Sequence, residues 1–82
     1  MLKINVYFFS TIRAIIGIKR MVVDIPVEST VWDLKMEIAR LYPVSEEAIK
    51  TMLTSVNRIF SNDEEVLEDQ TEVAFFPFVS GG

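Results

Sequence analysis

The stretch that most restricts the fold is TVWDLKMEIARLYP, residues 30–43. Val31, Leu34, Ile38 and Leu41 recur at three- and four-residue spacing, which places one apolar stripe along an α-helix. Thr30 stands at the N-cap, and Asp33 follows where a carboxylate meets the positive end of the helix. Pro43 ends the helix, because the residue before proline is pushed out of the αR region. Lys35, Glu37 and Arg40 fall off the stripe and are assigned to a solvated side, while Trp32 and Tyr42 are read as packing residues at the two ends. A helix that is apolar along a single stripe must lie on another layer, and the rest of the chain reads as strands.

Leu2, Ile4, Val6 and Phe8 alternate with Lys3, Asn5, Tyr7 and Phe9, the two-residue period of a strand. STIRAIIG reads as a loosely helical turn closed by Gly17, and KRMVVDIP as a second strand that pairs with the first as a hairpin. Ser45-Glu46-Glu47 begins a short helical turn. A strand over 53–60 follows, with a turn at Asn57-Arg58, then the polar loop SNDEE, an apolar anchor at Val66-Leu67 and a last strand over 71–76. The order is β-β-α-turn-β-β, an α+β domain with one main helix packed against a small sheet.

Composition removes several classes of function. The 82 residues suffice for one modest core, and half of them are apolar, which argues against a disordered chain. The longest apolar runs are far below the roughly 20 residues that cross a bilayer, so no membrane association is expected and the cytoplasm is the expected compartment. The net charge of −4 and scattered Lys and Arg argue against a nucleic-acid partner. There is no Cys and no His, which removes thiolate nucleophiles, sulfur-ligated metals and the usual general base near neutral pH. The acidic residues at 63–65, 68, 69 and 72 lack the spacing of a calcium loop and read as solvated turns, so no metal site is expected.

The sequence closes on VAFFPFVSGG. Pro77 has no N–H and tends to end a strand, so the chain is expected to leave the sheet there. Phe78, Val79 and Ser80 then form a short arm tipped by Gly81 and Gly82. Two glycines thread a channel too narrow for side chains. A terminal carboxylate on Gly82, ionised at neutral pH, is able to attack a nucleotide phosphate brought by a partner. The resulting acyl-adenylate accepts sulfur or an amine at its carbonyl.

This ending, preceded by Leu67 and a short acidic turn, resembles the small-subunit family of molybdopterin synthase. INVYFFSTIRAIIG, the TVWDLKMEIARLYP helix and Val56-Asn57 also follow in the family's order, so the resemblance covers essentially the whole chain. Two departures are Phe78, where a second proline is common, and Gln70-Thr71 in place of a Gly-Asp turn. The resemblance implies a ubiquitin-like β-grasp domain over residues 1–77, with adjacent parallel first and last strands, and a flexible tail over 78–82. It implies a non-catalytic sulfur carrier with no bound cofactor. An adenylyltransferase of the ubiquitin-activating type would use ATP and Mg to activate Gly82, and a sulfur donor would convert it to a thiocarboxylate. The arm would then enter the large subunit of a heterotetrameric synthase, whose side chains perform sulfur transfer to cyclic pyranopterin monophosphate.

With the outer strands adjacent, Tyr7 and Phe9 join Ala74 and Phe76 on one face, and Val6 and Phe8 join Val73 and Phe75 against the helix. Both faces of the last strand are apolar, so the reverse assignment stays open. Tyr7, Phe9, Phe76, Pro77, Phe78, Val79 and Ser80 are the expected partner contacts, and Gly81 and Gly82 the reacting end. The competing readings are a carrier for tRNA or thiamine thiolation, a protein modifier joined through Gly82 to lysine, and a plain interaction domain.

Overall fold

The computed structural model describes residues 1–78. Strands β1 (Leu2–Phe8), β2 (Arg20–Ile25), β3 (Leu53–Val56), β4 (Ile59–Ser61) and β5 (Glu72–Phe76) form one sheet in the order β2-β1-β5-β3-β4. Three helices interrupt them: α1 (Ser10–Ile16), α2 (Val31–Leu41) and α3 (Glu46–Thr51), the last entered through a 3-10 turn at Pro43–Ser45. β1 and β5 are parallel and all other pairs antiparallel, which is the expected β-grasp arrangement. No helix among the described residues is long and apolar enough to cross a membrane.

The core lies between one sheet face and the helices. Ile4, Val6 and Phe8 of β1 are buried with Val23 and Ile25 of β2, Val73 and Phe75 of β5, and Val31, Leu34 and Ile38 of α2. The Phe8 and Phe75 rings stack at 6.4 Å. The STIRAIIG segment is tighter than a loose turn: α1 is a regular helix, and Gly17 ends it at φ 91°, a left-handed conformation that suits glycine.

The start of α2 is fully partnered. Thr30 and Asp33 exchange side-chain and main-chain hydrogen bonds in a capping box. The N–H groups of Val31 and Trp32 donate to the carbonyls of Glu65 and Asp63 at 2.9 and 3.0 Å. The acidic loop thus supplies acceptors to the positive end of the main helix.

Four packing expectations change. Lys35 is buried rather than solvated, because α3 and the 62–65 loop close over that flank of α2. Its ammonium donates to the carbonyls of Met52 at 2.9 Å and Lys50 at 3.4 Å and pairs with Asp63 at 2.9 Å. Leu41 is exposed, since the chain turns at Tyr42 and that ring packs on the core in its place. Only Leu67 of the Val66-Leu67 pair anchors the loop, held by a hydrogen bond from its N–H to Ser29. Trp32 is 39% exposed, one step around the helix from buried Val31 and only partly covered.

Candidate functional site

Because side chains alternate along strands, the pairing register dictates which residues meet on the face away from α2. Tyr7 lies beside Ala74, Ala74 beside Ser55, and Ser55 beside Phe60. On the other side Tyr7 neighbours Arg20. This row resolves the ambiguity of the apolar last strand: Val73 and Phe75 point into the core, and Ala74 and Phe76 lie on the open face.

The open face carries a groove of about 470 Å3 whose walls include Tyr7, Phe9, Phe60 and Phe76. Phe60 and Phe76 meet edge to face at 5.8 Å. Phe60 is 78% exposed and Phe9 50%, so large apolar area stands in solvent although the core below is complete. Exposed aromatic area rimmed by polar groups marks an interaction site. The rim here is Arg58, whose guanidinium Nε lies 3.3 Å from Glu72 Oε2 across the groove edge.

Local sequence explains each placement. Asn57 and Arg58 both take positive φ, 50° and 69°, which makes the tight turn that folds β4 back on β3 and brings Phe60 over the face. Asn57 secures that turn to β5 through Oδ1, which accepts the Glu72 N–H at 3.1 Å. Phe9 lies just past β1 as the N-cap of α1, and its N–H donates to the Phe75 carbonyl at 3.1 Å. β5 runs parallel to β1, so Pro77 and Phe78 leave the sheet at the Phe9 end of the groove. Phe78 is 71% exposed.

The expected face residues Tyr7, Phe9 and Phe76 are therefore brought together, next to Pro77 and Phe78. Val79, Ser80, Gly81 and Gly82 lie outside the described residues. Phe60 is not among the expected contacts, because β4 is three residues long and too short to show a period. Its only sequence signal was a phenylalanine two residues after a turn dipeptide. Among the described residues no cluster of three or more acidic side chains is arranged to hold a metal ion.

The chain is similar to known proteins along its length. The ThiS family matches residues 6–82. A molybdopterin synthase sulfur carrier subunit from Caenorhabditis briggsae is 31% identical over 84 residues, covering 100% of both chains. The crystal structure of small archaeal modifier protein 1 from Haloferax volcanii superposes with a TM-score of 0.88 at 18% identity, covering 96% of this chain and 100% of that one. A chain of the complex of subunits 1 and 2 of molybdopterin-converting factor from Helicobacter pylori gives a TM-score of 0.68 at 18% identity, covering 99% and 100%.

Proposed function

The chain belongs to the ThiS family, and from that premise we propose that it is the sulfur-carrying small subunit of a molybdopterin synthase. The observation that carries this reading is the end-to-end likeness to the C. briggsae sulfur carrier subunit. The open aromatic face, with the chain leaving beside it toward Gly81 and Gly82, supports it.

The carboxylate of Gly82 attacks the α-phosphorus of ATP, held with Mg by an adenylyltransferase, and pyrophosphate leaves. Sulfide supplied by a donor then attacks the acyl carbon and expels AMP, leaving a thiocarboxylate. With no Cys in the chain, the end of the chain is the place for transferable sulfur. The large subunit, which the assembled H. pylori subunits suggest as a partner, receives the arm and passes the sulfur to cyclic pyranopterin monophosphate.

The open face holds the complex while the arm reacts. Ordering a five-residue arm costs about 1–2 kcal/mol per residue, or roughly 5–10 kcal/mol. At about 25 cal/mol per Å2 this requires roughly 200–400 Å2 of apolar burial, which two or three aromatic side chains supply. The groove contains that many.

The test is the intact mass after incubation with ATP, Mg, a sulfur donor and the adenylyltransferase of the same host. The expected gain is one sulfur for one oxygen, mapped to the carboxy-terminal peptide. Each of the four Met residues can gain an oxygen of nearly the same mass, so the product is also alkylated with a thiol reagent. Since the chain has no Cys, alkylation reports the thiocarboxylate alone. No gain with an enzyme active on another carrier defeats the proposal. Lysine conjugates that survive reductant indicate a modifier instead.

A further inference from the structure

β2 is an edge strand, and among the described residues its outer side pairs with no other strand. The Phe8 N–H donates to the Lys19 carbonyl, so the pairs 8/19, 6/21, 4/23 and 2/25 turn their main-chain groups toward each other. Arg20, Val22 and Asp24 therefore aim their N–H and C=O groups outward, away from β1. Among the described residues none of these groups bonds to a loop or helix. All three residues are exposed, Val22 at 58%. Such an edge is a template for another strand.

We propose that two copies of the chain join through this edge, in an antiparallel two-fold pairing centred on Val22. Only outward-facing residues can form the hydrogen-bonded pairs of that ladder. Three registers near the middle of β2 meet this condition. With Val22 opposite itself, Arg20 of each copy lies opposite Asp24 of the other, on the same face, in two symmetry-related pairs. Sliding by two residues one way sets Arg20 against Val22 and Asp24 against Ile18. Sliding the other way sets Arg20 against Pro26, which has no N–H to give. The central register alone matches charge with charge and uses all three outward residues. It also flanks Asp24 with a second cation, since Lys3 of its own chain lies 3.1 Å away.

The self-complementary pattern identifies the occupant as a second copy rather than an unrelated strand. A two-fold interface must present the same patch on both sides, and Arg-Met-Val-Val-Asp does so with opposite charges at its ends. With three outward residues per copy the ladder is short, so the dimer forms at high concentration and dissociates on dilution. Salt weakens it by screening the exposed charge pairs.

Sedimentation equilibrium of the full chain over micromolar to about millimolar concentration tests this. The weight-average mass should climb toward twice the monomer mass. Arg20→Asp sets like charges opposite each other in both pairs and weakens association by about tenfold or more. Asp24→Arg does the same, and the two changes combined restore association by reversing the pairs. All sites are exposed, and circular dichroism confirms that each variant folds. A chain that stays monomeric throughout the range overturns the proposal. So does a dimer unaffected by Arg20→Asp, or one not recovered in the combined variant.

Discussion

Replacing Lys35 by methionine keeps an unbranched side chain, one atom shorter, but removes the ammonium from a side chain that is 3% exposed. That ammonium donates to the carbonyls of Met52 and Lys50 and pairs with the Asp63 carboxylate. Hydrogen bonds to a charged group contribute about 1.5–3 kcal/mol each, but burying the ammonium carries an opposing cost of several kcal/mol. The Asp63 side chain is 37% exposed, so it rehydrates when its partner goes and adds at most about 1 kcal/mol to the loss. The two carbonyls decide the outcome: they close the end of α3 and lose a charged donor that methionine does not replace. The net destabilisation is about 2 kcal/mol, a fall in Tm of roughly 8–16 °C for a domain of this size. Asp63→Asn leaves both carbonyl bonds and lowers Tm by roughly 2–6 °C. Thermal unfolding followed by circular dichroism reads both. If Lys35→Met melts at or above the parent temperature, desolvation outweighs the bonds and the clamp is not a source of stability.

Four further changes probe the rest of the fold and the face. Thr30→Ala removes the acceptor for the Asp33 N–H and should cost about 1 kcal/mol in urea unfolding. Arg58→Gly relieves a left-handed residue, worth about 1–2 kcal/mol, and loses only an exposed ion pair to Glu72 worth less than about 1 kcal/mol, so stability should rise by about 1 kcal/mol. The Asp69 carboxyl is held below its ordinary pKa chiefly by the hydrogen bond from the Lys3 N–H, at 2.7 Å. A depressed folded pKa gives stability that is full above the ordinary aspartate range and is lost as pH falls through the lowered value. Asp69→Asn should therefore flatten the decline of the urea midpoint below about pH 4 while the parent keeps it. Phe60→Ala removes an exposed ring without touching the core, so Tm should hold while affinity for the proposed large-subunit partner falls by about 2 kcal/mol, roughly thirtyfold, by calorimetry.

What could be read from the sequence depended on whether a local pattern decides the matter. The α2 cap, the alternation of β1 and the Asn57-Arg58 turn are each encoded within a few neighbouring residues, and all appear where expected. Lys35 is buried against expectation because helical periodicity records which residues share a face, not what later covers that face. α3 and the 62–65 loop lie up to 30 positions away, and only tertiary contact brings them over the lysine. The same reasoning covers Phe60, whose place on the groove depends on β4 folding back rather than on any period of its own. The last strand was apolar on both faces, so its orientation waited for the register with β1.

That register also bears on how the proposed carrier works. The open face is graded from end to end: Phe9 and Phe76 lie where the chain departs, and the Lys3–Asp24 ion pair lies at the opposite end of β1. A partner that buries apolar area must therefore cover the departing end, whatever its other contacts. From Pro77 the five residues to Gly82 reach at most about 17 Å even when fully extended. The partner's reacting groups must lie within that distance of the aromatic cluster on the open face. Docking on the face and delivery of the terminus are thus one geometric problem, and the parallel pairing of β1 with β5 solves it. An antiparallel β5 in the same sheet position would send Pro77 out beside Lys3, with the aromatic contacts and the arm at opposite ends.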